Sequence, residues 1–217
     1  MKNKTYARLA GLSYLAIIVF GIISHMVIRA NLIVKNQAME TAQAILEKEN
    51  LFRFSIVSDF IMIIAFISLG IFLYKIFKDK FEVMSLFLLV LNILGGAMMG
   101  INMLNQLAAI EILDNSFEGL KTVQYDLSYF YLRLHSMGYS LSAISFGLWL
   151  FPMGYMIIKS SLFPKTIGIL LILGSIGYMA TFVGLIMGVN VPEFVTLGAD
   201  LGEMSFCLYL LIKGIRT

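Results

Sequence analysis

Charged residues, cysteine and histidine are scarce in this chain. Only 13% of its 217 residues are charged, which is about half the share found in soluble domains. The single cysteine, Cys207, excludes an intramolecular disulfide and a cysteine-based metal cluster. The net charge of +3 is small and spread along the chain. The chain lacks the concentrated basic surface of a nucleic-acid-binding protein, so no nucleic-acid partner is expected.

Apolar residues are abundant instead. They make up 59% of the chain, and the mean hydropathy is +0.89. A soluble domain of this length would expose too much apolar surface to water, so the lipid bilayer is the expected surroundings. The basic start, Met1 to Arg8, resembles that of a signal peptide, but no small-residue cleavage site follows the apolar run. This pattern predicts a first helix that is retained.

Six stretches reach the length of about 20 mostly apolar residues that a membrane-spanning helix needs. The sequence therefore predicts an all-α, polytopic transmembrane bundle of six helices, forming a single integral membrane domain over residues 1–217. Pro152 lies inside the fourth stretch and is expected to kink it. The six stretches run roughly over Leu9–Ile28, Phe54–Tyr74, Val83–Ile110, Leu127–Ile158, Ile167–Met187 and Phe194–Ile212.

The distribution of lysine and arginine predicts that both termini are cytoplasmic. Ten of the 16 basic residues lie at one set of helix ends, in the termini and two short turns, and six lie at the other. Short cytoplasmic loops carry such an excess. The ten are Lys2, Lys4, Arg8, Lys75, Lys78, Lys80, Lys159, Lys165, Lys213 and Arg216.

The connections predicted on the outer side are longer. Residues 36–50 have an amphipathic helical pattern, with Met39, Ala42, Ile45 and Leu46 on one face. This segment is interpreted as an interfacial connector, and the alternative is a cover over the bundle. Asp114 to Asp126 is predicted to be a polar loop. Glycines four residues apart are predicted to allow close helix packing; these pairs are Gly96 and Gly100, Gly184 and Gly188, and Gly198 and Gly202.

Polar and ionisable residues inside the apolar stretches are the candidate functional residues. Each charged side chain at such a position costs about 2.5–3.5 kcal/mol. Counting about 1.5 Å per residue from the outer helix ends places these groups in the outer half of the bilayer. The candidate ligand-binding residues are His25, Arg53, Asp59, Asn102, Gln106, Arg133, His135, Asp200 and Glu203.

Two expectations about geometry follow. First, Asp59, His135 and Glu203 lie on three different helices at similar depth, and they are predicted to face a common cavity open to the outer side. Second, at least one guanidinium group, from Arg53 or Arg133, is predicted to pair with Asp59, Asp200 or Glu203. Three carboxylates against two guanidinium groups leave a negative charge that a proton, a cation or a cationic substrate would balance.

The sequence does not support a metal site formed by the two histidines and the carboxylates. The H-E-x-x-H spacing is absent, and His25 and His135 lie on different predicted helices. No metal site is therefore predicted, and catalytic residues and cofactors are left unassigned.

Short segments along nearly the whole chain resemble a family of uncharacterised bacterial membrane proteins, the one labelled domain of unknown function 4386. The resemblance implies a bacterial multi-pass inner-membrane protein and brings no established activity. It rests on Arg8-Leu9-Ala10-Gly11 with Tyr14, Phe52-Arg53 with Asp59, His135, Gly138-Tyr139, Phe146-Gly147, Gly154-Tyr155, Leu162-Phe163-Pro164, Gly168, Gly174, Gly177-Tyr178, Gly202-Glu203 and Lys213-Gly214.

Three functional classes remain open at this point. The first is a membrane protein that binds or transports a small molecule or ion through a polar pocket in the outer half of the membrane. The second is a membrane-embedded enzyme that acts on a lipid or a lipid-linked group, with or without a metal ion. The third is an accessory or structural subunit. The partners expected are the bilayer and a small-molecule, ion or lipid ligand, while the oligomeric state is left undetermined.

Overall fold

A computed structural model describes residues 2–114 and 123–216, and within these ranges the chain is helical with no β-strand. A π-helical segment, Ile22–Arg29, joins α1 to α2, and a 3-10 helix, Glu193–Thr196, precedes α9. Most of the polar loop predicted between Asp114 and Asp126 lies outside the described residues. The α-helices are α1 Lys2–Gly21, α2 Ala30–Leu32, α3 Ala38–Glu47, α4 Glu49–Phe77, α5 Glu82–Leu113, α6 Gln124–Leu141, α7 Ala143–Ser160, α8 Lys165–Met187 and α9 Leu197–Ile212.

Six helices of the described chain are long and apolar enough to cross a membrane, which confirms the predicted polytopic all-α fold. Several of them extend beyond the predicted bounds, as α4 does by starting at Glu49 rather than Phe54. Hydropathy marks only the apolar part of a helix, whereas polar residues at its ends remain good helix formers. The six spans are Asn3–Leu32, Glu49–Phe77, Glu82–Leu113, Gln124–Ser160, Lys165–Met187 and Phe194–Ile212.

The fourth span differs from its prediction because it consists of two helices. The break lies at Ser142, between α6 and α7. There the Ser142 carbonyl accepts hydrogen bonds from the backbone N–H groups of Ser145, at 2.9 Å, and Phe146, at 3.2 Å. The shorter bond is of the 3-10 type, which tightens the chain locally. Pro152 lies inside α7.

The chain divides into two compact units. The first unit comprises Met1–Ala16, Ile64–Ala97 and Ser140–Thr217. The second unit comprises Ile17–Ile63 and Met98–Tyr139. Each unit has its own packed interior and its own set of polar residues.

In the first unit, glycines let α8 pack closely against both α7 and α9. A Cβ atom at Gly154 would lie 2.6 Å from the carbonyl oxygen of Gly168. On the other side of α8, a Cβ at Gly198 would lie 3.1 Å from the Gly174 nitrogen, and one at Gly202 would lie 3.0 Å from the nitrogen of Leu171. The predicted packing role of Gly198 and Gly202 is therefore confirmed.

Gly100, Gly184 and Gly188 do not follow that prediction. A Cβ at Gly100 would meet no atom within 4 Å, so this residue faces open space rather than a helix. Gly188 ends α8 with a φ of +67°, a left-handed conformation that glycine adopts readily. Gly184 lies against Val191 in the segment that follows α8.

In the second unit, α3 packs into the apolar interior. Its residues Ala42 and Ile45 are buried there, whereas Met39 and Leu46 on the same predicted face are 60% and 39% exposed. Because α3 lies against buried residues of α4, α5 and α6, it covers part of this unit. The buried cluster consists of Ile28, Leu32, Ala42, Ile45, Phe52, Ile56, Ala109, Ile110, Leu113 and Leu132.

Polar contacts hold the segment before α3 in place. The Thr41 hydroxyl accepts a hydrogen bond from the Val34 N–H at 3.0 Å and donates to the Val34 carbonyl at 3.2 Å. The Asn36 N–H donates to the Tyr129 hydroxyl of α6 at 2.7 Å. These bonds satisfy backbone groups that a loop would otherwise leave free.

Candidate functional site

A cluster of polar side chains lies in the second unit around Asp59 of α4, which is only 3% exposed. Arg29 contacts its carboxylate at two points, with Nη1 2.5 Å from Oδ2 and Nη2 3.2 Å from Oδ1. The Ser24 hydroxyl donates to Oδ1, and Gln106 Nε2 donates to Oδ2 at 2.9 Å. A buried carboxylate needs such donors, because its charge is otherwise too costly to remove from water. We call Ser24, His25, Arg29, Asp59, Asn102, Gln106 and His135 the Asp59 cluster.

The π-helical segment explains how Ser24 and Arg29 reach the same carboxylate. Residues five apart in an α-helix point about 140° away from each other. In a π-helix the N–H of each residue bonds the carbonyl five residues earlier, as the Ala30 N–H does with the His25 carbonyl. Ser24 and Arg29 are therefore brought to one face of the segment, and both are buried. Rare π segments of this kind occur frequently at functional sites.

Gln106 of α5 connects Asp59 to His135 of α6. Its Nε2 carries two hydrogens, and besides Asp59 it lies 2.7 Å from His135 Nε2. Because the Gln106 nitrogen is a donor, that ring nitrogen acts as an acceptor. The other ring nitrogen, Nδ1, lies 3.3 Å from the backbone carbonyl of Asn102, which can only accept. The contacts thus favour a neutral His135 ring protonated at Nδ1.

Asn102 fixes α5 against α6 beside this histidine. Its Nδ2 donates to the His135 backbone carbonyl at 2.8 Å, and its Oδ1 accepts a hydrogen bond from Asn105 at 2.9 Å. Gly138 makes the approach possible, because a Cβ at that position would collide with the Asn102 side chain. The glycine therefore provides the space that the Asn102 side chain occupies.

A small cavity lies at the edge of the cluster. Its lining includes His25, Asp59, Asn102, His135 and Tyr139, together with apolar side chains of α4 and α5. Its volume is about 10 Å³, which is close to the minimum that holds one water molecule. The His25 ring packs against Tyr139 at a centroid distance of 4.8 Å. Its Nε2 lies 3.9 Å from Asp59 Oδ1 and has no hydrogen-bond partner.

The prediction that Arg53 or Arg133 pairs with Asp59, Asp200 or Glu203 is wrong for the described residues. Asp59 pairs with Arg29, and neither Asp200 nor Glu203 takes part in an ion pair there. Arg53 instead bonds Glu49 at 2.6 Å and Asp114 at 2.9 Å. It lies near the start of α4, and its side chain is 44% exposed. Such an exposed pair spares Arg53 the cost of entering the apolar interior. Arg133 is exposed on α6.

Asp200 and Glu203 belong to the first unit, where they lie three residues apart on α9. Asp200 is exposed, and Glu203 is partly buried beside Tyr14 of α1. The cavity described above is lined only by residues of the second unit. Asp59 and His135 both line this cavity. The predicted contribution of Glu203 to the same cavity stays a prediction.

Sequence reasoning missed Arg29 and Ser24 as members of the cluster. Arg29 follows the first apolar run directly, at a position where a charge that flanks a membrane helix is ordinary. The spacing of His25 and Arg29, four residues apart, places them on one face of a helix and would have indicated a shared role. Ser24 gave no such indication, because its position depends on the π-helical geometry.

Comparison with known proteins gives a family but no activity. A protein of Archaeoglobus fulgidus, named only as an uncharacterized protein, is 34% identical over 94 residues. The match covers 42% of this chain and 51% of that protein, so the chain spans about half the length of this relative. No solved structure matches the chain. The family described as a domain of unknown function (DUF4386) matches residues 9–214, and the chain therefore belongs to that family of proteins.

Proposed function

We propose that this chain is an integral membrane protein that binds a proton at the Asp59 cluster, and that it works as a proton-linked transporter or sensor. The observation that supports this most directly is the cavity beside His25, Asp59 and His135. It combines two imidazole rings with a buried carboxylate and has room for about one water-sized species. Histidine is the side chain that exchanges protons most readily near neutral pH.

The contacts of Asp59 favour His25 as the group that takes up the proton. Both Asp59 oxygens already accept two hydrogen bonds, from Arg29, Ser24 and Gln106. By contrast, His25 Nε2 has no partner and lies 3.9 Å from Asp59 Oδ1. A proton on Nε2 would face that carboxylate directly, and a small movement of the ring would complete an ion pair.

The size of the cavity supports a small ligand over a large one. A lipid headgroup or an organic substrate needs a pocket of several hundred Å³, whereas about 10 Å³ is accessible in this one. Acceptor atoms around a water-sized space suit a proton carried on water better than they suit a larger ligand.

The enzyme alternative has weaker support. A catalytic zinc needs three protein ligands, and in residues 2–114 and 123–216 no three His, Cys, Asp or Glu side chains are gathered in that way. The accessory-subunit alternative explains the ion pair of Arg29 and Asp59. It gives no reason for the unpartnered His25 nitrogen beside the cavity.

We place the protein, as part of this proposal, in the plasma membrane of a bacterium with both termini in the cytoplasm. The ten basic residues in the termini and short turns support this orientation. In it the Asp59 cluster lies in the outer half of the bilayer, so protons would reach it from the outside.

The two histidines permit a direct test of proton binding. In purified protein labelled with ¹⁵N-histidine and held in lipid nanodiscs, each ring gives its own nuclear magnetic resonance signals, assigned with His25→Gln and His135→Gln. We expect the His25 ring to take up a proton as the pH is lowered from about 8 to about 4. If neither ring changes in that range, the proposal is wrong.

A flux measurement separates transport from sensing. Proteoliposomes that contain a pH-sensitive dye are given an inward proton gradient with the membrane potential clamped. Transport predicts faster internal acidification than in protein-free vesicles, and His25→Gln should remove the difference. Arg53→Gln is the matched control, because Arg53 forms an exposed ion pair away from the cluster. Proton binding without flux would favour a sensor.

A further inference from the structure

One end of the first unit carries a concentration of positive charge. All ten basic residues of the side predicted to be cytoplasmic belong to this unit. The acidic residues that accompany them in the described chain are Asp79 and Glu82, both exposed where α4 turns into α5. The ion pairs of the described residues all lie in the second unit. The charge at this end is therefore not balanced by ion pairs within the described part of the first unit.

Contacts between the turns gather these charges on one face. The Lys80 ammonium donates to the backbone carbonyls of Lys159 at 3.1 Å and Ser160 at 3.4 Å, which joins the turn after α4 to the end of α7. The Arg216 N–H donates to the Leu162 carbonyl at 2.9 Å, which holds the segment after α9 against the turn between α7 and α8. We call Lys78, Lys80, Lys159, Lys165, Lys213 and Arg216 the basic face.

A tyrosine precedes a lysine by four residues at the end of three helices of this unit, α4, α7 and α9. The Lys78 N–H donates to the Tyr74 carbonyl and the Lys213 N–H to the Tyr209 carbonyl, both at 2.9 Å, so the helical turn continues as far as each lysine. Residues four apart lie on one face of a helix, so each pair presents a hydroxyl and an ammonium group one turn apart. The pairs are Tyr74 and Lys78, Tyr155 and Lys159, and Tyr209 and Lys213.

The three pairs lie where the apolar spans end. Tyrosine is enriched at this level of a membrane, where its ring is in the apolar layer and its hydroxyl reaches the headgroups. The Tyr155 ring packs on Phe81 with centroids 6.3 Å apart, and the Tyr209 ring packs on Phe163 at 5.9 Å, so neighbouring turns position both rings. Charge in the turns is sufficient to orient a membrane protein. It gives no reason for the same tyrosine spacing in three helices.

We infer that the basic face binds the headgroups of anionic phospholipids, and that the lysine and tyrosine of each pair donate hydrogen bonds to phosphate oxygens. Ammonium and phenol groups are both donors, and a lipid phosphate is the acceptor present at this level. A soluble phosphate lacks the acyl chains that would lie along the apolar spans beside the pairs, which favours the lipid. Binding at this face depends neither on the Asp59 cluster nor on which leaflet the face meets, since all its residues belong to the first unit.

Native mass spectrometry of the purified full chain tests this inference. The protein is titrated in detergent with phosphatidylglycerol, which is anionic, or with phosphatidylcholine, whose choline cation offsets the phosphate charge. We expect phosphatidylglycerol to bind about tenfold more tightly or better, and added salt to reduce the difference. Because this comparison uses the natural protein, it does not depend on the folding of any variant.

Variants then assign the binding to the pairs. Lys159→Gln with Lys213→Gln should weaken phosphatidylglycerol binding about 25-fold, which corresponds to about fivefold for each lysine. Tyr155→Phe with Tyr209→Phe keeps the rings but removes two donors, so a smaller loss is expected. Lys35→Gln with Lys48→Gln is the matched control, because both lysines are exposed in the second unit, and it should leave binding unchanged.

Equal affinity for the two lipids would overturn lipid binding at the basic face, and so would an equal loss in the control variant. Displacement of phosphatidylglycerol by glycerol phosphate at the same concentration would identify a soluble anion as the ligand and overturn the assignment to lipid. Unchanged binding in Tyr155→Phe with Tyr209→Phe would overturn the role of the tyrosines. Failure of His25 to titrate would contradict the proposed proton binding but not these results.

Discussion

Arg29 and Asp59 are 30 residues apart in the chain and form a buried two-point ion pair. The pair joins the π-helical segment to α4 and accounts for the only negative charge in the Asp59 cluster. Its members cannot separate into apolar surroundings without a large cost, so the pair fixes the two helical segments relative to each other. Gln106 extends the same network to His135.

Removal of one partner of the ion pair should be strongly destabilising. We expect Asp59→Asn to lower the free energy of unfolding by about 3 kcal/mol or more, because Arg29 keeps its charge in a buried position. The double variant Arg29→Met with Asp59→Leu should recover most of that loss. Thermal unfolding in detergent measures both. If the double variant is no more stable than Asp59→Asn, charge compensation is not the main contribution of this ion pair to the free energy of unfolding.

Gln106→Leu should uncouple the ion pair from the histidine. The apolar side chain leaves His135 Nε2 without its hydrogen-bond partner and removes one donor from Asp59, with an expected loss of about 1–3 kcal/mol. In the ¹⁵N-histidine spectrum the His135 signals should move, while the His25 signals change less. A His135 signal that is unaltered in Gln106→Leu would contradict the contact.

Gly138→Ala should destabilise the protein, because the new methyl group meets the Asn102 side chain. Overpacking of this kind costs about 1–3 kcal/mol. Adding Asn102→Ala should relieve the collision and reduce the loss. Gly100→Ala is the matched control on α5, since a Cβ there meets no atom within 4 Å. It should be neutral or stabilising by up to about 1 kcal/mol, as expected for glycine replaced within a helix.

The orientation can be checked by cysteine labelling, because the chain has a single natural cysteine and that residue, Cys207, is buried. Lys35 precedes α3 and Asp79 follows α4, and both are exposed. With cytoplasmic termini, Lys35→Cys should react with a membrane-impermeant reagent in intact cells. Asp79→Cys should react only after the cells are permeabilised. The reverse pattern would overturn the orientation.

The sequence was sufficient for the six apolar helices, because lipid requires long runs of apolar residues in a regular helix. It also identified Asp59, Gln106 and His135, whose polarity is unusual in such runs. It did not reveal the partner of Asp59, since Arg29 lies where a flanking charge is ordinary. It also gave no indication of the break at Ser142, because neither proline nor glycine occurs between Tyr139 and Phe146.

The π-helical segment has a consequence for comparing relatives of this chain. The five-residue spacing of Ser24 and Arg29 suits a π-helix, whereas residues four apart lie about 40° from each other on an ordinary α-helix. Met26 and Val27, which lie between them, are 68% and 56% exposed. A relative that lacks one of these two positions would therefore present the same serine and arginine to its aspartate from an unbroken α-helix. In an alignment, a single-residue gap here would indicate that the site is kept rather than lost.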